Sequence, residues 1–151
     1  MKHLYMETTR IPAAQTAATI SVLLGGAGAT AILQEYGPNR QITALSFRLL
    51  INGREIPFRL PVRTAPIFEI LSGRRKIGRL RHADDDRDQA ARVAWRLALR
   101  WVEAQLAYVE TGTIAAEEAF LAYVQVSATE TIYQRLVAVN FDAARMLPAP
   151  E

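Results

Sequence analysis

The stretch from Asp84 to Gly112 constrains the fold of this chain more than any other part. Ala, Leu, Arg, Glu and Gln dominate it, and it holds no Gly or Pro before its last residue, so intrinsic propensity favours a helix throughout. The aspartates at positions 84–86 and 88 can cap free N–H groups and oppose the positive end of the helix dipole. Gly112 is a natural C-terminal stop. The sequence therefore predicts one helix of roughly 25 residues, which makes a rod of about 40 Å.

Apolar side chains surround most of this predicted helix. One row at a spacing of three or four residues comprises Ala90, Ala94, Leu97, Trp101, Ala104 and Tyr108, and a second comprises Trp95, Leu99, Val102, Leu106 and Val109. A helix that is apolar around most of its circumference is packed on several sides. The narrow polar strip that remains holds Arg92, Arg96, Arg100, Glu103 and Glu110. We interpret this strip as a solvated edge with ion pairs one turn apart, such as Arg100 with Glu103. The alternative is an arginine row presented to a ligand.

The clearest local motif is a β-hairpin. Two segments of alternating polarity, Gln41–Ile51 and Arg54–Val62, flank Asn52-Gly53, which is typical of a two-residue type I′ turn. This turn predicts a register that pairs Ile51 with Arg54, Leu49 with Ile56, Phe47 with Phe58, and Leu45 with Leu60. The opposite face of the hairpin then carries Ser46, Arg48, Glu55, Arg59 and Arg63. In this register the N–H groups at positions 57 and 61 would point away from the partner strand. Both residues are prolines and have no N–H, so the second strand is predicted to be an edge strand.

The remaining segments complete an α+β fold. Helix and strand signals predict a helix over Ala13–Leu24, a strand over Thr30–Tyr36, a short helix over Thr64–Leu71, and two later helices over Thr113–Tyr123 and Thr129–Val137. The order is an N-terminal helix, a three-stranded antiparallel meander and then helices, with the long central helix packed on the sheet. We expect residues 1–151 to form a single domain with a basic α-β-β-β-α part over 1–82 and a helical part over 83–147. The tail over 148–151 is expected to fray.

Charge is distributed unequally along the chain. Residues 1–82 carry 12 Lys or Arg against 4 Asp or Glu, a balance of +8, and residues 83–151 carry 6 against 11, a balance of −5. Nearly all of the basic residues are Arg, the side chain suited to bidentate contact with phosphate or carboxylate. The densest cluster of basic residues is flanked or interrupted by two glycines, so we interpret it as a mobile basic loop. It comprises Arg74, Arg75, Lys76, Arg79 and Arg81.

These basic residues favour a nucleic-acid-binding protein. Together with the basic loop, Arg48, Arg59 and Arg63 of the hairpin could form a continuous surface that contacts the phosphates of DNA or RNA. Such contacts supply affinity with little sequence preference. No aromatic residue interleaves with these arginines, so base stacking would require Tyr36 or Tyr5 to turn outward.

A protein-binding inhibitor or a small-anion-binding module is the second hypothesis. An edge strand with an exposed apolar residue, Leu50, could build a homo-oligomer. A basic face could also dock an acidic host protein or a small phosphorylated messenger. Retention on heparin with its salt dependence, set against capture of a host protein, discriminates between the two hypotheses.

The sequence predicts no catalytic residue, no metal site and no cofactor. Cysteine is absent, and the only histidines are His3 and His82, neither of which accompanies a nucleophile motif. Asp84 and Asp88 lie one turn apart and could bind Mg²⁺, but helix capping accounts for them without a metal. No run of 18 uncharged apolar residues exists, so we expect a cytoplasmic protein that does not enter a membrane.

Several short motifs resemble those of a family of small, mostly uncharacterised phage or prophage proteins. The residues that carry the resemblance run from Phe58 to Arg63 (FRLPVR), from Arg92 to Arg96 (RVAWR), from Val102 to Ala107 (VEAQLA), and from Glu118 to Tyr123 (EAFLAY). The similarity extends over roughly Glu7 to Tyr133. It implies a role in phage DNA metabolism or in countering host defence, and it brings no catalytic residue with it.

Overall fold

The computed structural model of the protein describes residues 3–75 and 83–145, and at positions 75, 83, 84 and 143 it describes the backbone alone. Within these ranges the helices are α1 (Ala13–Gly26), α2 (Ala65–Arg75), α3 (Ala83–Glu110), α4 (Ala116–Ala119) and α5 (Ile132–Ala138). The strands are β1 (Ala29–Tyr36), β2 (Ile42–Ile51) and β3 (Arg54–Arg59). Short 3₁₀ turns cover Pro38–Arg40, Leu121–Tyr123 and Ala143–Arg145. The predicted α+β architecture is confirmed.

The three strands form one antiparallel sheet in the order β1-β2-β3, with the predicted hairpin register. Phe47 pairs with Phe58, and their rings stack with centroids 5.0 Å apart. At the turn, Asn52 and Gly53 both have positive φ, 50° and 77°, as a type I′ turn requires. β3 ends at Arg59 and not at Val62.

β3 lies at the edge of the sheet, as predicted, but its outer edge is partly covered. Phe58 forms an isolated bridge with Val124, and the Gln125 N–H donates to the Pro57 carbonyl at 2.8 Å. The Pro57 carbonyl therefore points away from β2. In the predicted register an N–H at this position would point the same way, and proline lacks it.

The helices α1 and α3 pack on one face of the sheet and enclose the main core. Its buried members include Ala17, Ile20 and Leu24 of α1, Leu45, Phe47 and Leu49 of β2, Phe58 of β3, Trp95, Leu99 and Val102 of α3, and Phe120. A second cluster joins α2 to α3 through Ile67, Leu71, Ala90, Val93 and Ala94. We call the sheet face that carries no helix the outer face.

The long helix α3 agrees with its prediction at both ends. It begins at Ala83, and the Gly112 N–H donates to the Val109 carbonyl while the Thr113 N–H donates to the Tyr108 carbonyl, both at 3.0 Å. With Gly112 at φ 74°, this pair of bonds is a Schellman motif.

The predicted burial of α3 needs one correction. Ala104 and Tyr108 of the first apolar row are exposed, although Val102 and Leu106 of the second row still pack on the main core. Trp101 is half-buried, and it is more buried than its exposed neighbour Arg100, as the row predicts.

Helix α2 is longer than predicted, and this changes the basic loop. The sequence places the end of the helix before Gly73, yet α2 continues through this glycine to Arg75. A glycine inside a helix costs only about 1 kcal/mol relative to alanine, and the packing of Ile67 and Leu71 against α3 stabilises the helix. The prediction that Arg74 and Arg75 belong to a loop is therefore wrong. Lys76, Arg79 and Arg81 lie outside the described residues.

The C-terminal region is less helical than predicted. The expected helix over 113–123 is divided into the single turn α4 and a 3₁₀ turn, and the last helix begins at Ile132 and not at Thr129. Thr131 caps α5: its hydroxyl accepts from the Gln134 N–H, and the Gln134 side chain accepts from the Thr131 N–H. The predicted frayed tail, 148–151, lies outside the described residues.

Candidate binding site

Two of the predicted hairpin arginines lie on the outer face, and each is bound to a glutamate. The Arg59 guanidinium donates to Glu35 of β1 at 2.6 Å, and the Arg48 guanidinium lies 3.5 Å from the carboxylate of Glu55. Glu35 and Arg59 stand on opposite sides of β2, so their ion pair crosses the central strand. The two pairs give these four charged side chains a balance of zero.

The outer face also carries apolar surface. Leu33 of β1 and Leu50 of β2 are each 60% exposed. Ser46 on the same face is buried because Leu33 and Arg59 are its neighbours on the two sides. The described part of this face is therefore neutral in charge and partly apolar.

The structure describes the side chains of two other predicted arginines, Arg63 and Arg74, and neither residue lies on a strand of the sheet. Arg63 is exposed in the extended segment after β3 and has no ion pair within the described parts of the chain. Arg74 makes an ion pair with Glu7 of the N-terminal segment, and its side chain is only 17% exposed. The side chain of Arg75 and all of Lys76, Arg79 and Arg81 lie outside the described residues. Among the described arginines, Arg59 and Arg63 line one cleft, whereas Arg74 is bound to the N-terminal segment.

Arg59 and Arg63 line one polar cleft of about 440 Å³ at the end of the outer face. One wall is the end of β3 with the extended segment after it, and the other is the region from the second 3₁₀ turn to α5. The cleft is lined by Glu35, Arg59, Leu60, Pro61, Val62, Arg63, Tyr123, Gln125, Ala128, Thr129, Glu130, Thr131 and Gln134.

Most of the charge in the cleft is compensated. Glu35 holds Arg59, and Glu130 accepts from Arg135, which lies outside the lining, at 2.9 Å. Of the four charged lining residues, Arg63 alone has no counter-ion within the described residues. The cleft can therefore accept a ligand with one negative charge.

Neither tyrosine named for base stacking joins the outer-face arginines. Tyr36 and Tyr5 do turn outward, at 60% and 63% exposure. However, the Tyr36 hydroxyl donates to Gln34, whose amide donates to Ser21 of α1, so Tyr36 is on the helix side of the sheet. Tyr5 lies near α3, where the pKa of Arg100 is raised mainly by its hydrogen bond to Glu103, with a smaller contribution from Tyr5.

The polar strip of α3 is largely engaged within the protein. Arg100 pairs with Glu103 at 2.9 Å, as predicted, and the Arg92 guanidinium donates to the Gln89 side chain at 2.7 and 2.9 Å. The Gln89 amide in turn donates to the carbonyls of Glu7 and Thr9, which fixes the N-terminal segment on α3. These contacts support a structural role for this part of the strip.

Metal sites and membrane spans were sought only in the described ranges, 3–75 and 83–145. There, no three His, Asp or Glu side chains come together as metal ligands would. No helix in those ranges is both long and apolar enough to cross a bilayer.

No pattern in the sequence predicts the second wall of the cleft. Tyr123, Gln125 and Gln134 reach it only because the chain after α4 folds back onto the edge of β3, through the contact between Gln125 and Pro57. That contact joins positions 68 residues apart, and no local pattern predicts it. Comparison with known proteins does not fill this gap, since no family model, curated protein or solved structure matches the chain.

Proposed function

We propose that this protein is a non-enzymatic protein-binding module and that its partner docks on the outer face of the sheet. The observation that carries the proposal is the pairing of Arg48 with Glu55 and of Arg59 with Glu35. A polyanion gains affinity by binding uncompensated cations and releasing its own counterions. On this face each guanidinium already has a carboxylate beside it. Both carboxylates would remain within one Debye length, about 8 Å at physiological salt, of any phosphate that displaced them.

The exposed leucines support a protein partner in another way. Interface cores are depleted of charge and rich in apolar contacts, and an exposed apolar patch rimmed by polar groups is typical of a docking site. Leu33 and Leu50 are exposed apolar groups on this face, with the two ion pairs beside them. The partner is either a second copy of the chain or a host protein.

Affinity capture with matched variants tests the proposal. Changing Leu33 and Leu50 to Asp places two charges on the outer face, whereas Val22→Asp places one on α1, where the valine is 75% exposed on the other side of the sheet. We expect the wild type and V22D to retain the same partner, identified by mass spectrometry, or the same dimer by light scattering. The double variant should lose it while remaining folded. Retention by all three proteins would refute the proposal.

Nucleic-acid binding remains a second candidate because of the sequence between α2 and α3. Five basic residues fall within the eight positions from Arg74 to Arg81. The resemblance to phage proteins implies a role either in DNA metabolism or in countering host defence. Since Arg74 is engaged with Glu7, the informative variant changes Arg75, Lys76, Arg79 and Arg81 to Ala and leaves Arg74 in place. If this segment contacts phosphate, each lost contact should lower the slope of log affinity against log salt by roughly 0.7–0.9. If the wild-type protein binds neither single- nor double-stranded DNA or RNA at about 50 mM salt, this candidate function is refuted.

A further inference from the structure

The outer face alone is too small for a stable interface. Three strands at about 4.8 Å spacing and eight residues at about 3.3 Å give roughly 400 Å² of sheet. A stable complex usually buries about 800 Å² on each partner. A partner on this face must therefore extend beyond it, and the cleft adjoins the face because Glu35 and Arg59 belong to both.

The cleft wall formed by the end of β3 favours contact through side chains. The outward edge of β3 is already used at Pro57, whose carbonyl accepts from Gln125. Further along, Pro61 has no N–H to donate. An extended segment in the cleft would find few main-chain donors on this wall, so side chains must supply the hydrogen bonds.

The opposite wall supplies suitable donors. The side chain of Gln125 and the Nε2 of Gln134 have no hydrogen-bond partner within residues 3–75 and 83–145, and the Oε1 of Gln134 is occupied by the Thr131 N–H at 2.8 Å. Amide NH₂ groups of this kind bind peptide carbonyls well. Together with Arg63, they offer one full positive charge and several neutral donors.

We infer that the cleft binds one extended segment of a partner protein that carries a single carboxylate, with Arg63 as the anchor of that carboxylate. The inference rests on the proposed function and names the chemistry of the partner. A guanidinium binds a carboxylate through two parallel hydrogen bonds. A phosphate monoester carries about −1.5 to −2 at pH 7, and in this cleft it would meet the carboxylates of Glu35 and Glu130 as well as Arg63. The two glutamates therefore select against multiply charged ligands.

The test uses pools of immobilised heptapeptides that are random except for a central Glu, Gln or phosphoserine. We expect the wild-type chain to bind the Glu pool best. Arg63→Ala should weaken this binding about 10- to 100-fold, the loss expected for one charge-assisted bidentate contact. The matched control is Arg54→Ala, since Arg54 is also exposed but lies at the other end of β3, away from the cleft.

A gain-of-binding variant makes the test independent of folding. Glu35→Gln frees Arg59 and removes a carboxylate from the cleft, so it should strengthen binding of the Glu pool severalfold and raise that of the phosphoserine pool. Glu103→Gln, which removes an ion-paired glutamate on α3, should change neither. Equal binding of the Glu and Gln pools, a wild-type preference for phosphoserine, or no binding of any pool would overturn the inference. If the variant with Leu33 and Leu50 changed to Asp loses the partner and R63A keeps it, the proposed function holds and the inference about the cleft is wrong.

Discussion

Phe120 is the side chain that attaches the C-terminal wall of the cleft to the core, and its truncation has a calculable cost. It comes from a region with little regular structure, yet it is only 1% exposed. Its ring lies edge-on to Phe47 at 5.3 Å, Phe58 at 6.3 Å and Trp101 at 5.5 Å. Truncating a fully buried Phe to Ala costs about 3–5 kcal/mol, and each aromatic pair contributes about 0.5–1.5 kcal/mol beyond burial. We therefore expect F120A to lower the free energy of unfolding by about 4 kcal/mol.

Urea denaturation followed by tryptophan fluorescence measures this loss, since Trp95 and Trp101 both report on the core. The control is Leu121→Ala, because the neighbouring Leu121 is 52% exposed and should change stability by no more than about 0.5 kcal/mol. If F120A costs less than about 1 kcal/mol, the packing described here does not hold the wall in place. A milder variant, Phe120→Leu, should retain the fold and lose less stability, which separates the cavity effect from a general failure to fold.

Three further predictions concern stability and are checked by the same denaturation measurement. Gly53→Val should cost about 1–2 kcal/mol because a β-branched residue resists the positive φ of 77° at this position. The cost is not a clash, since nothing beyond the neighbouring residues lies within 4 Å of the added Cβ. No loss of stability would mean that the turn is not type I′. Trp101→Ala should cost about 2 kcal/mol, less than the 3–5 kcal/mol of a fully buried tryptophan, because its ring is half-buried against Phe120 and Tyr123. Gly25→Ala should stabilise the protein by up to about 1 kcal/mol, since this helical position has open space for the Cβ; a loss of stability would contradict that reasoning.

The features that the sequence predicted well are those with a local cause. The type I′ turn and the proline positions set the register that places Phe47 opposite Phe58. In the same way, Gly112 ends α3 because a positive φ is available there at no steric cost. Each of these features depends on residues within about ten positions of each other, so a pattern along the chain can carry it.

The site depended on contacts that no such pattern carries. The partner of Arg59 is Glu35, 24 residues away on the far side of β2, where Glu35 pairs with Ala44. The partner of Arg74 is Glu7, 67 residues away. Counting arginines predicted a basic surface because the sequence does not show which arginines already have a carboxylate beside them. In the structure Arg48, Arg59 and Arg74 each have one.

The most direct test of the central claim measures DNA binding by a chain that lacks the two outer-face glutamates. If Glu35 and Glu55 close this face to polyanions, changing both to Gln should expose Arg59 and Arg48 to phosphate. The slope of log affinity against log salt, measured by fluorescence anisotropy, should then exceed that of the wild type by roughly 1.4 for single-stranded DNA and roughly 1.8 for duplex DNA, the values for two added contacts. Equal slopes and equal affinities for the two proteins would contradict the claim that the ion pairs make the outer face a protein-binding surface.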